Sequence, residues 1–179
     1  DWEAALVAAA LNDDHDGPAK YCVKTVSTDG KPVRSKGGFL TIPDYGLETA
    51  PKEFAALLLI GGHSWRQSES DIITGLVKSA FDQGAVVGAI CGATAFLGRH
   101  GFLNGVRHTS NSLDYLKESA KDNYTGESLY IAEQAVSDGG VITANGTAHA
   151  EFAREVLTAL ESHAPHEIEE WYDYVKLGQ

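Results

Sequence analysis

The chain has 179 residues, 43% of them hydrophobic and 22% charged, with a formal net charge of −11. That length suits one domain, spanning 1–179, with a core that needs neither metal nor disulfide to hold it. The acidic excess argues against nucleic acid and anionic membrane surfaces as partners, and its spread along the chain reads as a solvated surface. The longest apolar run, residues 54–60, falls well short of the ~20 residues of a membrane span.

Residues 3–12 (EAALVAAALN) read as a helix, closed by the Asn-Asp-Asp and Gly-Pro punctuation that follows. Residues 21–28 alternate and are β-branched, which predicts a strand, and Asp29-Gly30 turns the chain. Residues 33–35 and 39–42, around Gly37-Gly38, predict a small hairpin. The apolar run 54–60, ending in Gly61-Gly62, has the character of a buried parallel strand. Residues 70–81 predict an amphipathic helix with Ile72, Ile73, Leu76, Val77 and Ala80 on one face. A second buried strand is expected over 85–90, then a helix over 92–100 stopped by Gly101.

Residues 107–111 form a short strand or turn, and Ser112 is placed to cap a helix over 113–121. Val136 and residues 141–143 flank an Asp138-Gly139-Gly140 turn, giving a strand pair, and helices are expected over 147–160 and 165–176. Strands alternating with helices argue for an α/β fold with a mostly parallel sheet covered on both faces. Ligands of such sheets gather beyond the carboxyl ends of the strands, where Gly61-Gly62 and Cys91 both fall.

Cys22 and Cys91 are the two cysteines and form no C-x-x-C pair, which favours a reducing, cytoplasmic setting. Around Cys91, an apolar strand runs into small residues that open a helix, the shape of a nucleophile elbow. A cysteine at a helix N-terminus is expected to have a lowered pKa and a larger thiolate fraction. The competing reading is an inert buried thiol. Backbone N–H groups of Gly62 and Gly92 would form an oxyanion hole over Cys91, and Glu3, protonated, would donate a hydrogen bond to a thiolate.

Asp1-Trp2-Glu3, the segment 58–65 (LLIGGHSW), Ala89-Ile90-Cys91-Gly92-Ala93, Gly101-Phe102-Leu103, the segment 107–111 (RHTSN), the segment 143–148 (TANGTA) and Glu151-Phe152-Ala153 together resemble the ThiJ/PfpI superfamily, in order and over essentially the whole chain. The resemblance implies a flavodoxin-like three-layer sandwich whose first strand lies just before Asp1. It implies Cys91 as nucleophile, Glu3 as the carboxyl group beside it, Gly62 and Gly92 as oxyanion donors, and a homodimer. No cofactor or metal is expected.

Many active members carry a histidine just after the cysteine or in the downstream T-x-H stretch; here those positions are Gly92 and Asn111. His63, His108 and His149 are the substitutes, each also open to a surface or structural reading, while His15, His100, His163 and His166 are expected to be exposed. Trp65 either walls the pocket or belongs to the core. Three functions compete: a Cys-dependent hydrolase, lyase or deglycase acting on a small carbonyl or amide compound; a non-enzymatic redox or stress sensor in which Cys91 is oxidised; and a metal or ligand-binding module, whose spacing matches no structural zinc pattern. A glutamine amidotransferase fits less well, since the nearest His–Glu candidates are His166-Glu167 and His149-Ala150-Glu151, with Glu151 expected to face away from Cys91.

Overall fold

The computed structural model describes residues 1–13 and 18–178. The chain enters through helix α1 (Trp2–Leu11) and continues through four two-residue strands, β1 (Val26–Ser27), β2 (Val33–Arg34), β3 (Leu40–Thr41) and β4 (Tyr45–Gly46). Strands β2 and β3 form the expected antiparallel hairpin, and β1 pairs in parallel with β4. The strand predicted over 21–28 shrinks to Val26–Ser27 because side chains take its backbone groups first. Asn12 Oδ1 accepts from the Val23 N–H at 3.0 Å, and Asp44 Oδ2 accepts from the Thr25 N–H at 2.8 Å. His15 and part of the punctuation after α1 lie outside the described residues.

The central sheet comes next. It contains β5 (Ala56–Leu59), β6 (Val86–Ile90), β7 (Ala135–Asp138) and β8 (Val141–Ala144), in the order β5-β6-β8-β7. Strands β5, β6 and β8 are parallel, and β7 closes one edge antiparallel to β8 across the Gly139-Gly140 turn. Between these strands lie helices α2 (Thr74–Asp82), α3 (Gly92–Arg99) and α4 (Leu113–Ala120), and after them α5 (His149–Ala159) and α6 (Pro165–Leu177). Ser112 caps α4 as expected, its hydroxyl accepting from the Tyr115 N–H at 3.0 Å.

Alternation along the strands sorts side chains to two cores. Leu57, Leu59, Val87, Ala89 and Val141 face Val77, Phe96, Leu97 and Leu116 of α2, α3 and α4. Leu58, Ile90, Ile142 and Ala144 face Val7 of α1 and Phe152, Val156 and Leu157 of α5. This is the expected three-layer α/β sandwich. The helix predicted over 70–81 is corrected at its start: Ser68–Ile73 is a 3-10 turn and α2 begins at Thr74. Three residues per turn rather than 3.6 carry Ile72 outward, where it is 64% exposed, while Ile73, Val77 and Ala80 stay buried.

Gly88 sits at the centre of β6 for a packing reason. A Cβ there would stand 2.7 Å from Leu58 Cδ2 and 3.0 Å from Phe152 Cζ, and both side chains are wedged between the sheet and α5. Gly88→Ala is therefore expected to cost about 1–3 kcal/mol by overpacking. A lowered urea midpoint with unchanged slope checks it.

Candidate active site

Strand β6 ends at Ile90 and helix α3 begins at Gly92, so Cys91 must reverse the chain in a single residue. It does so with φ 58° and ψ −122°, a left-handed conformation that is strained for a residue bearing a Cβ. Neighbouring groups hold it there. The Cys91 N–H donates to the Ala144 carbonyl at 2.9 Å. The Cys91 carbonyl accepts from Thr94 Oγ1 at 2.6 Å and from the Thr94 N–H at 3.2 Å. Thr94 Oγ1 also lies 2.7 Å from Ser110 Oγ; since its one hydrogen goes to Cys91, Ser110 is the donor in that bond. Thr94 and Ser110 are both buried. They brace the elbow, and the sequence reading missed them because a Thr or Ser in a small-residue stretch gives no distinctive signal.

Three chain segments converge on the sulfur. Asn111 Nδ2 donates to Cys91 Sγ at 3.7 Å, and its Oδ1 accepts from the Gly146 N–H at 2.9 Å. Gly146 passes so close that a Cβ would lie 2.8 Å from Sγ. Trp2 Nε1 donates to the Gly146 carbonyl at 3.3 Å. Glu3, only 6% exposed, accepts from the Gly61 N–H through Oε2 at 2.8 Å, and its carboxyl is within hydrogen-bonding reach of the Cys91 thiol. Any side chain at Gly61 would run into the Glu3 carboxyl and come within 2.7 Å of Cys91 Cβ. Gly61 and Gly146 are thus required by the close approach of backbone to thiol. Gly62 and Gly92 also meet: a Cβ at Gly92 would run into the Gly62 carbonyl oxygen, and the Gly92 N–H is directed at the Cys91 sulfur.

The electrostatics reverse one expectation. Burial pushes the Cys91 thiol up, and the neighbouring Glu3 charge adds to this; hydrogen bonds from Asn111 and the Gly92 N–H pull the other way and do not win. Being at the N-terminus of α3 therefore does not give Cys91 a lowered pKa. Glu3 is raised too, chiefly by burial, against the Gly61 N–H and the thiol, which favour its charged form. Two groups in contact, both held above their ordinary values, titrate as a pair. The upward shifts leave the sulfur carrying its proton and make the carboxylate a stronger base than a free glutamate.

Of the accessory candidates, Asn111 reaches the sulfur. His149 opens α5 close enough for its charge to be felt at Glu3, and its Nδ1 is buried without a partner among the described residues. His63 is exposed in the 3-10 turn His63–Arg66 after Gly62. His108 is not at the thiol. It is fully buried, 2.8 Å from the Val106 carbonyl through Nδ1 and 2.7 Å from the Tyr124 hydroxyl through Nε2, and burial lowers its pKa. Trp65 likewise packs into the core, its ring centre 5.3 Å from that of Phe96 and its Nε1 donating to the Ile60 carbonyl at 2.6 Å. His100, expected to be exposed, is instead half-buried against Phe96 and 2.9 Å from Asp71. Glu151 faces α6, bonded to the Tyr172 hydroxyl and to Lys176, so it makes no dyad with Cys91.

Among the described residues, no cluster of three or more His, Cys, Asp or Glu side chains could hold a metal ion, and no helix is long and apolar enough to cross a membrane. A mostly parallel sheet between two helical layers, with a cysteine turning the chain at the carboxyl end of a central strand, defines a flavodoxin-like α/β protein. The chain belongs to the DJ-1/PfpI family, whose model matches residues 1–159. It is 40% identical over 169 residues to "Uncharacterized protease YdeA" of Bacillus subtilis (strain 168), covering 94% of this chain and 82% of that protein. It is 30% identical over 135 residues to "Glutathione-independent glyoxalase DJR-1.2" of Caenorhabditis elegans, covering 73% of this chain and 69% of that protein. The crystal structure of a thiJ/pfpI family protein from Bacillus anthracis superposes with a TM-score of 0.91 at 34% identity, covering 99% of this chain and 85% of that one.

Proposed function

We propose that the protein is a cysteine-dependent enzyme acting on small reactive carbonyl compounds, with Cys91 as nucleophile and Glu3 as proton shuttle. The observation that carries this reading is the contact between the two groups: a thiol held on a strained elbow beside a buried carboxyl whose pKa is raised. In the first step Glu3 takes the thiol proton, the sulfur bonds to the aldehyde carbon, and the carbonyl electron pair moves onto oxygen. The backbone N–H groups of Gly62 and Gly92 are the proposed donors to that oxygen. Glu3 then returns the proton, giving a neutral hemithioacetal. With a 2-oxoaldehyde, moving one proton from the first carbon to the second and the hydroxyl proton from the first oxygen to the second converts it to a thioester, which water releases as a 2-hydroxy acid. No external oxidant or reductant is needed.

Amide hydrolysis asks for more, because the departing amine must be protonated. Among the described residues no histidine is hydrogen-bonded to the Cys91 sulfur. Carbonyl addition is therefore favoured over the protease chemistry in the names of some relatives, and it agrees with the glyoxalase name of another. The proposal includes a homodimer and a reducing, cytoplasmic setting. Its test is turnover of methylglyoxal and of amide substrates by wild type and Cys91→Ser. Equal turnover by both proteins rules the mechanism out.

A second reading, a redox sensor, draws on the donors already at the sulfur, since Asn111 Nδ2 and the Gly92 N–H would hold the oxygens of a sulfinate. Wild type that turns over nothing, yet oxidises faster at Cys91 than at Cys22 under peroxide, would select it.

A further inference from the structure

Arg66 ends the 3-10 turn that follows Gly61-Gly62, at the carboxyl end of β5. Its guanidinium lies over the ring of Tyr115, 4.8 Å from the ring centre. Tyr115 stands in the first turn of α4, four residues after Asn111, the side chain that donates to the Cys91 sulfur. The Arg66–Tyr115 contact thus joins the two segments that flank the thiol.

The other four arginines are engaged. Arg99, Arg107 and Arg154 pair with Asp71, Asp138 and Glu155, and Arg34 donates to the Gly38 carbonyl. Arg66 makes no ion pair among the described residues, and its side chain is exposed. Tyr115 is also the largest electrostatic influence on it, through a side-chain hydrogen bond, and the charges of Glu118, further along α4, and of Cys91 are felt at the guanidinium as well. On a chain of net charge −11 this leaves a cation with no carboxylate partner among the described residues, held over an aromatic ring beyond the carboxyl end of β5, the strand paired in parallel with the one whose carboxyl end carries Cys91.

We propose that Arg66 is a specificity-determining residue that favours small 2-oxo carboxylates over neutral carbonyl compounds of the same size, its guanidinium receiving the carboxylate while the adjacent carbonyl meets Cys91. The proposal rests on the reading of Cys91 as nucleophile and adds the charge of what it attacks. With an aldehyde acid such as glyoxylate, the S–C bond forms as the carbonyl electron pair moves to oxygen. The thiol proton reaches that oxygen through Glu3, so the addition is balanced without a co-reactant. Guanidinium suits this role because its planar fork matches a carboxylate.

Iodoacetate and iodoacetamide test the assignment, since both alkylate sulfur by displacing iodide and differ in the charge beside the reacting carbon. Their rates at Cys91 are measured at low ionic strength by peptide mass spectrometry in wild type, Arg66→Gln and Arg66→Lys, with Cys22 as the internal reference. A partly solvated cation near the sulfur should raise the iodoacetate-to-iodoacetamide ratio about 5- to 10-fold. The ratio at Cys91 is expected to fall by that factor in Arg66→Gln and to be largely kept in Arg66→Lys, while the ratio at Cys22 stays constant. An unchanged ratio at Cys91 in Arg66→Gln overturns the role of Arg66 and leaves the chemistry of Cys91 standing. A Cys91 that takes up neither reagent while Cys22 reacts overturns both.

Discussion

Cys91→Ser is expected to lower methylglyoxal turnover by at least ~10³-fold, because a hydroxyl beside a lone carboxylate is a far weaker nucleophile than a thiol. The substitution changes one atom and leaves the elbow in place. The bonds from Cys91 N–H to Ala144 and from Thr94 to the Cys91 carbonyl are made by the backbone of residue 91 and persist in the serine variant. A folded, inactive Cys91→Ser protein therefore reports on chemistry rather than on stability. Loss of substrate and appearance of the 2-hydroxy acid, followed together by proton NMR, distinguish turnover from simple capture of the aldehyde.

Glu3→Gln separates two roles that a carboxyl beside a thiol can play. If Glu3 shuttles the proton, turnover falls by roughly 10²–10⁴-fold in the glutamine variant, the usual worth of a positioned acid–base group. The same substitution removes the negative charge that helps hold the Cys91 thiol up, so the thiol ionises more readily. Turnover and thiol ionisation should then move in opposite directions.

Stability follows the same shift. Burial holds the folded-state pKa of Glu3 above that of an ordinary glutamate, so the folded protein binds that proton more tightly than the unfolded chain does. The associated stability is fully present below the unfolded pKa and is lost as pH rises through the folded one. Thermal midpoints across a pH series should thus favour Glu3→Gln over wild type increasingly as pH rises through that window. The sign is the same for Cys91, raised above 9.0, whose contribution fades further up the scale.

Much of the architecture was legible because the strands and helices carry clean periodicities. The runs 54–60 and 85–90 became β5 and β6, and Gly101, at φ 76°, ended the helix that starts beside Cys91. Where side-chain hydrogen bonds compete with a ladder, periodicity misled, as around Val23 and Thr25. It misled at Ile72 for a different reason, the change of helical pitch.

The site was partly legible. Cys91 and Glu3 are 88 positions apart in the sequence, and neither residue type alone signals that they meet; the ordered likeness to a family supplied that link. Asn111 stood where a histidine was sought, and it reaches the sulfur itself. His108 and Trp65 were drawn toward the site by their place in the chain, but they point into the core. The direction of the Cys91 pKa was out of reach of the sequence, because it depends on how deeply the sulfur and Glu3 are buried together.

On the proposed mechanism, Cys91 rests as a thiol whose proton Glu3 accepts during attack. The pH dependence of iodoacetamide alkylation at Cys91, measured by peptide mass spectrometry in wild type and Glu3→Gln, tests it most directly. A midpoint at lower pH in Glu3→Gln than in wild type, with turnover lost, is the expected result. A midpoint at higher pH in Glu3→Gln would contradict it, showing that a protonated Glu3 had been stabilising a resting thiolate.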